Sequence, residues 1–179
     1  KWVDLSEGGQ GVAMLNDGKY GHDIFGNVMR MTLLRAPKAP DPTCDMGRHR
    51  FTYVVMPHFM PFAFDNVIPA AYALNAPLRA VPLEASTGES TSLPPLVACE
   101  NRNVVIESVK KAEDSDELIV RLYECHNTRG RAELSVFGRA TAAWLCDLEE
   151  NSIAELELND GLVAFEYKPF EIVTIKLRR

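Results

Sequence analysis

Short runs of alternating apolar and polar residues make up most of this 179-residue chain. The alternation is clearest at residues 28–33, 50–54 and 154–158, and a period of two is typical of half-buried β-strands. Further strands are predicted at residues 11–15, 104–110, 117–126, 131–137, 143–147, 162–167 and 170–177. So many short strands predict an all-β protein, built as an antiparallel β-sandwich rather than an α/β fold.

Two turn sequences support antiparallel pairing of neighbouring strands. Residues 159–161 (Asn-Asp-Gly) separate the predicted strands 154–158 and 162–167, and Asx-Gly pairs tolerate the positive φ of tight hairpins. Residues 113–116 (Glu-Asp-Ser-Asp) separate two strands rich in Val and Ile. Each turn therefore predicts a hairpin.

One segment departs from the strand pattern. Pro69 followed by Ala-Ala-Tyr-Ala-Leu is typical of a short helix with proline in its first turn, and residues 75–77 (Asn-Ala-Pro) would stop it. We expect this helix to pack against a sheet.

The composition changes between residues 79 and 95, where a stretch rich in Ser and Thr is followed by Pro94 and Pro95. This stretch predicts a linker between two β units, residues 1–78 and 96–179. The second unit has about the number of strands of an immunoglobulin-like sandwich. The first is too short for a complete sandwich, so we interpret it as the end of a larger sheet system.

Composition and charge argue against several classes of protein. A net charge of −6 with scattered basic residues disfavours nucleic-acid binding, and no apolar run approaches the roughly 20 residues that span a bilayer. The four cysteines form no CxxC pair, which favours free thiols over a zinc knuckle or a disulfide framework. We therefore expect no nucleic-acid or membrane partner, and a reducing, cytoplasmic location.

Acidic residues and histidines give only weak catalytic signals. Asp17, Asp23, Asp41 and Asp45 invite comparison with a glycosidase pair, which needs two carboxyl groups about 5 to 10 Å apart. Spacing within loops does not establish that separation, and loop Asp residues more commonly cap turns. None of the four histidines stands in an HxH or HExxH pattern, so no zinc site is predicted.

The stretch MLNDGKYGHDIFGN, residues 14–27, has two interpretations. Its Asn-Asp-Gly turn favours a hairpin bend, with Lys19 solvated and Tyr20 laid across the sheet. Alternatively, Asp17, Lys19 and Tyr20 are suited to hydrogen-bonding sugar hydroxyls, and the neighbouring glycines allow close backbone approach. The residues alone leave both interpretations open.

Six ordered motifs lie between residues 2 and 124. They are WVDLSEGGQGVAMLNDGKYG (2–21), LLRAPKAPDP (33–42), GRHRFTY (47–53), AYALNAPL (71–78), VIESVKKAED (105–114) and LIVRLYE (118–124). Together they resemble the C-terminal region of α-mannosidases of glycoside hydrolase family 38, most closely the cytosolic and bacterial branch. The resemblance implies the end of a large, galactose-mutarotase-like sandwich at residues 1–78 and a small, immunoglobulin-like sandwich at 96–179.

The resemblance also implies where the chemistry lies. In that family a zinc-dependent retaining site, with an Asp nucleophile and an Asp acid/base, belongs to an N-terminal barrel domain, and no barrel motif occurs here. The chain therefore resembles a C-terminal fragment of an exo-acting α-mannosidase that is inactive alone. We expect no catalytic residue, no metal ligand and no cofactor in this fragment, with zinc bound in the upstream domain.

The implied partners are the upstream catalytic barrel of the same polypeptide and a mannoside substrate. Asp17, Lys19 and Tyr20 are the candidates to line the sugar pocket; the alternative is that they stabilise a domain interface. An apolar patch is expected on residues 1–78, where the upstream part would pack.

Two further functions from other classes remain open. A free-standing carbohydrate-binding module needs an exposed aromatic platform, which Trp2 and Trp144, the only tryptophans, supply poorly. An immunoglobulin-like interaction domain explains residues 96–179 but not the loop around Lys19.

Overall fold

A computed structural model of the chain describes residues 1–59, 64–82, 94–138 and 140–178. The chain divides into two compact units, Lys1–Ser86 and Thr87–Arg179. The division falls inside the predicted linker 79–95, but residues 83–93 of that linker lie outside the described residues. The linker and the limits 1–78 and 96–179 therefore stay predictions.

The described part of the first unit contains five strands and one helix. These are β1 (Trp2–Glu7), β2 (Gln10–Asn16), β3 (His22–Phe25), β4 (Val28–Met31), β5 (Tyr53–His58) and α1 (Phe64–Asn75). An antiparallel sheet has the order β1-β2-β5, whereas β3 and β4 form a separate two-stranded hairpin.

One face of the three-stranded sheet packs against α1. Side chains alternate between the faces of a strand, and the register places Ala13 opposite Met56, so these two side chains share a face with Leu15. Ala13 and Leu15 are buried in one cluster with Val67 and Ala71 of the helix. This small cluster is the core of the first unit.

The opposite face of the same sheet is also apolar. By alternation and register it carries Val3, Leu5, Val12, Met14, Val55 and Pro57. The side chains on β1 and β2 are half-buried, whereas those on β5 are exposed. A strand that is apolar on both faces, as β2 is, is typical of a sheet packed between two layers.

The helix differs from its prediction at one end. It ends at Asn75 as expected but begins at Phe64, so Pro69 lies in its interior rather than in its first turn. Proline in the interior removes one backbone hydrogen bond, and the packing of Val67 and Ala71 on the sheet offsets that loss. Among the described residues, no helix has the length and apolar character needed to cross a bilayer.

The described part of the second unit is built from strands. They are β6 (Val97–Ala98), β7 (Val104–Lys111), β8 (Leu118–Glu124), β9 (Gly130–Val136), β10 (Ala142–Cys146), β11 (Ser152–Leu156), β12 (Leu158–Asn159), β13 (Leu162–Tyr167) and β14 (Ile172–Arg178). One sheet has the order β11-β10-β14-β8-β7 and the other the order β12-β13-β9-β6. The strand pairs are antiparallel, so the predicted all-β, antiparallel fold class is confirmed.

The two sheets of this unit share one core. Alternate residues of β8 and β14, among them Val120, Leu122 and Ile175, are buried in a cluster with Leu134 of β9 and Phe165 of β13. The period-two pattern predicted this inward-facing set because each strand buries one face.

Both predicted hairpin turns form, with one change of partner. Strands β7 and β8 pair across residues 113–116, and β12 pairs with β13 across Asp160 and Gly161, whose φ angles are 49° and 78°. The prediction of one continuous strand at residues 154–158 is wrong, because two strands share these residues. Its first part belongs to β11, which pairs with β10, and only β12 pairs with β13.

Glu157 is the single residue between β11 and β12, which lie in different sheets. Leu156 and Leu158 on either side of it both pack against the core. The alternation of apolar residues continues without interruption through this crossing, which is why the pattern predicted one strand here.

Candidate functional site

The loop that joins β2 to β3 carries the three predicted site residues, and buried Asn16 organises its fold. The Asn16 Oδ1 atom accepts hydrogen bonds from the backbone N–H groups of Gly18 and Lys19, at 3.1 and 2.6 Å. Asn75 at the end of α1 donates its side-chain N–H to the Asn16 carbonyl oxygen at 3.0 Å. The loop is therefore fixed at its base to both the sheet and the helix.

Asp17 is committed to the backbone of Thr52. Its carboxylate accepts the Thr52 N–H at 2.9 Å, and its own N–H donates to the Thr52 carbonyl oxygen at 3.2 Å. The hydrogen bond from the Thr52 backbone lowers the pKa of the Asp17 carboxyl below its usual value. Asp17 thus holds the loop beside the start of β5 rather than presenting an unengaged carboxylate.

Lys19 is half-buried against an aromatic ring. Its Nζ atom lies 4.5 Å from the centroid of the Phe51 ring, within the range of a cation–π contact. The ring attracts the charge of the ammonium group but does not accept a conventional hydrogen bond from it. The three N–H groups of Nζ can therefore still donate hydrogen bonds to hydroxyl oxygens of a ligand.

Tyr20 stands at the exposed tip of the loop. Its side chain is 85% exposed, and the chain on either side of it is anchored. His22 Nε2 lies 3.1 Å from the Lys19 carbonyl oxygen and 3.4 Å from Asn16 Nδ2. A large exposed aromatic side chain with a hydroxyl, on a loop with fixed ends, can stack on a sugar ring and hydrogen-bond its hydroxyls.

The loop therefore combines the two interpretations of its sequence. Asn16 and Asp17 have structural roles, which the turn sequence indicated, although β2 and β3 do not pair with one another as a hairpin would require. Lys19 and Tyr20 present the groups that could contact a ligand, and their role as site residues stays a prediction.

The other candidate carboxylates serve local structure. Asp41 accepts the N–H and hydroxyl of Thr43, which lowers the pKa of its carboxyl, and Asp45 accepts the N–H of Ala36 at 2.9 Å. These contacts support the interpretation of loop carboxylates as turn-forming groups. Asp23 lies in strand β3 rather than in a loop, and it pairs with Arg30 across the β3–β4 hairpin at 2.5 Å.

A buried contact between a histidine and a carboxylate was missed by sequence reasoning. His58 Nε2 lies 2.7 Å from Asp4 Oδ1, and both side chains are buried on the face of the sheet that also carries Ala13. Ser6 donates its hydroxyl to the second Asp4 oxygen. The available signal was Gly11 within an apolar strand, since glycine there often marks a place where other groups approach closely.

The chemistry of the remaining side chains is limited. In the part of the chain that the structure describes, no three His, Cys, Asp or Glu side chains are grouped as a metal ion would require. Trp2 packs against the core of the first unit, and Trp144 is half-buried with the Arg178 guanidinium 4.7 Å from its ring. Neither tryptophan offers the open platform that a carbohydrate-binding module uses.

Two family models match the chain. The model described as "Glycosyl hydrolases family 38 C-terminal domain" matches residues 1–43, and "Glycosyl hydrolases family 38 C-terminal beta sandwich domain" matches residues 103–175. The first match includes the loop of Lys19 and Tyr20, and the second includes most strands of the second unit.

Curated relatives agree with these matches over nearly the whole chain. "Alpha-mannosidase 2C1" of Homo sapiens is 42% identical over 182 residues, which cover 99% of this chain and 17% of the human protein. "Alpha-mannosidase" of Saccharomyces cerevisiae is 30% identical, with 99% of this chain and 18% of the yeast protein covered. The chain thus spans about a sixth of the length of the relatives it matches.

Solved structures show the same fold. The crystal structure of an α-mannosidase from Enterococcus faecalis V583 matches with a TM-score of 0.76 at 21% identity, covering 99% of this chain and 20% of that chain. The catalytic domain is not part of these 179 residues. The chain belongs to glycosyl hydrolase family 38, and its two units are the C-terminal β-sandwich region of that family.

Proposed function

We propose that this chain is the accessory C-terminal region of an α-mannosidase and has no hydrolytic activity alone. The bond-breaking groups belong to an upstream catalytic barrel of the same polypeptide. The present residues support the fold of that enzyme and contribute one loop to its sugar pocket. The support comes from family membership together with two surfaces of the first unit.

The observation that carries this proposal is the apolar face of the sheet β1-β2-β5 opposite α1. Val55 on that face is 58% exposed, and Pro57 beside it is also exposed. Leaving a contiguous apolar face in water is unfavourable, and such faces mark packing sites. The partner chemistry that fits is an apolar sheet or helix face, which the upstream part of the polypeptide provides.

The loop of Lys19 and Tyr20 is the second surface. In this proposal Tyr20 stacks on or hydrogen-bonds a mannose ring, and Lys19 donates to one of its hydroxyls. The fixed loop base at Asn16 favours this role, because a pre-ordered loop loses little conformational entropy when ligand binds.

The reaction of the whole enzyme is proposed as hydrolysis of α-mannosides with retention, by double displacement through a covalent intermediate. Zinc belongs to the upstream domain. The described residues offer no grouped set of His, Cys, Asp and Glu side chains, so they do not fit a zinc ion. No step of the reaction is assigned to this chain beyond binding and orienting the sugar.

The proposed compartment is the cytoplasm. No disulfide joins Cys44, Cys99, Cys125 and Cys146 within the described residues. Burial raises the pKa of the Cys99 thiol, which keeps it in its unreactive protonated form. Four cysteines without a disulfide favour a reducing environment.

The test measures kcat/KM for a chromogenic α-mannoside with the full-length polypeptide. Tyr20→Phe and Lys19→Ala are each expected to lower kcat/KM by about tenfold, the equivalent of one lost hydrogen bond of about 1.4 kcal/mol. Phe25→Leu is the matched control for Tyr20, because Phe25 is 78% exposed, close to the 85% of Tyr20, but lies on the separate β3–β4 hairpin. It is expected to leave kcat/KM unchanged.

Each result has a defined meaning. Full-length protein without α-mannosidase activity would refute the proposed function. Normal kcat/KM in both loop variants would leave the enzyme assignment in place and make the loop purely structural. Val55→Lys tests the packing surface, because it should lower the Tm of the full-length protein but not that of the isolated chain.

A further inference from the structure

The second unit has a groove of about 520 Å³ at one edge of its sandwich. Its floor contains Leu145 and Val173, which belong to or pack on the core between the two sheets. Strand β13 is paired on one side with β9, but on the other side β12 covers only Leu162 and Val163. The groove therefore gives access to the sandwich core beside an incompletely covered strand.

Three aliphatic side chains line the groove and are strongly exposed. Leu148, Ile153 and Ile172 are 61%, 65% and 54% exposed. Ile153 is the extra residue of a β-bulge, because the β10–β11 ladder shifts register between Leu145 and Cys146. Bulges redirect side chains, so the irregularity accounts for an isoleucine at this rim.

The residues that line the groove carry only negative charge, although Arg121 beside them donates to the Leu148 carbonyl oxygen at 3.0 Å and to the Thr174 hydroxyl at 3.3 Å. The lining includes the four carboxylates Asp147, Glu149, Glu166 and Glu171 and contains no Lys, Arg or His. Asp147 accepts hydrogen bonds from Asn151 and from the Glu149 N–H, and Glu171 accepts the Lys168 N–H. Within the described residues, the Glu149 and Glu166 carboxylates accept no hydrogen bond and form no ion pair.

We propose that this groove docks a protein segment in which an aliphatic side chain stands beside Lys or Arg, supplied by the part of the polypeptide outside these 179 residues. The aliphatic side chain covers Leu148, Ile153 and Ile172, and the cation pairs with Glu149 or Glu166. This occupant is the one that matches both the apolar floor and the acidic rim. The inference rests on the proposed function, since curated relatives are about six times as long as this chain.

The experiment compares amide hydrogen exchange in the full-length protein and in the isolated chain. In the full-length protein, amides of β11 and of residues 147–150 should exchange about tenfold more slowly than in the isolated chain. Those of the opposite edge strand β7 serve as the internal control and should exchange equally. The double variant Glu149→Gln/Glu166→Gln removes both charges without placing a second cation opposite Arg131, and it should abolish the difference at the groove.

The same data separate this inference from the proposed function. Slower exchange at β5 without any change at the groove would retain the proposed function and overturn the docking inference. Equal exchange at both places would overturn both. If the groove amides of the full-length double variant still exchange more slowly than those of the isolated chain, the role of charge is overturned, and the proposed occupant with it.

Two controls address misfolding and self-association. The double variant in the isolated chain should keep the wild-type Tm, because within the described residues the Glu149 and Glu166 carboxylates accept no hydrogen bond and form no ion pair. The isolated chain should sediment as a monomer. Concentration-dependent dimerisation that the double variant prevents would identify a second copy as the occupant and overturn the present inference.

Discussion

Asp4 and His58 are 54 positions apart in the chain, yet their side chains meet at 2.7 Å in the interior of the first unit. Gly11 makes this possible, since on β2 it lies opposite both Ser6 on β1 and His58 on β5. A side chain at that position would occupy the space in which the imidazole, the carboxylate and the Ser6 hydroxyl meet. A strand that is otherwise apolar therefore has a glycine there for steric reasons.

Gly11→Ala is expected to destabilise the first unit by about 1 to 3 kcal/mol. The new Cβ would lie 2.5 Å from Ser6 Oγ and 2.6 Å from His58 Cε1, so the buried pair would have to separate. Urea denaturation followed by near-UV circular dichroism measures the effect. Gly18→Ala is the control, because no heavy atom lies within 4 Å of its added Cβ. Equal stability of the two variants would contradict this account.

Glu124→Gln is expected to destabilise the second unit by about 2 to 3 kcal/mol. The buried carboxylate accepts the N–H groups of His126, Thr128 and Phe170 and the Thr128 hydroxyl. An amide replaces one acceptor oxygen with a donor, so at least one buried N–H would lose its partner. The shift in the urea midpoint measures the loss, and Glu133→Gln on the exposed side of β9 should leave the midpoint unchanged.

The pH dependence of stability should report the same carboxylate. Burial alone would raise the pKa of Glu124, but the hydrogen bonds from Phe170, Thr128 and His126 outweigh it and lower the pKa below its usual 4.5. The contribution is fully present above pH 4.5 and is lost as the pH falls towards the folded-state pKa. Glu124→Gln should therefore show a shallower loss of unfolding free energy below that pH than the wild type.

Gly130→Ala tests a second close approach. The added Cβ would lie 2.8 Å from the Tyr167 hydroxyl, which accepts the side-chain N–H groups of Asn101 and Asn103. We expect a loss of about 1 to 3 kcal/mol. In the double variant with Tyr167→Phe the clash is partly relieved, so the two effects should not add, with a coupling of about 0.5 kcal/mol or more. Strict additivity in thermal unfolding would argue against this contact.

Asn16→Ala and Tyr20→Ala should separate loop structure from loop function. Asn16 is buried and accepts two loop N–H groups, so its removal should cost about 1 to 3 kcal/mol of stability. Tyr20 is exposed, so its removal should leave the Tm of the isolated chain unchanged. Differential scanning calorimetry of both variants checks the contrast, and a lower Tm for Tyr20→Ala would assign that side chain a packing role.

Much of the fold was predictable because strands that bury one face leave a period-two pattern. The core residues Val120, Leu122 and Ile175 lie at alternate positions, and the turns at 113–116 and 159–161 were identified from their residue types. The start of the helix was not predictable in this way. Proline favours a first turn, and only tertiary packing shows that Pro69 is tolerated in the interior.

The candidate site was predictable in composition but not in geometry. The sequence indicated Asp17, Lys19 and Tyr20, yet the bond from Thr52 to Asp17 joins positions 35 residues apart, which no local pattern encodes. For the same reason the Asp4–His58 pair was missed. Side-chain contacts between distant strands depend on register, and register becomes visible only when the strands are paired.

The crossing at Glu157 bears on the cooperativity of unfolding. One residue joins two strands of different sheets, and Leu156 and Leu158 on either side of it pack against the same core. Detaching either sheet would therefore expose core side chains of both. Partial unfolding is thereby penalised, and the unit should open in one all-or-none step rather than by peeling of a single layer.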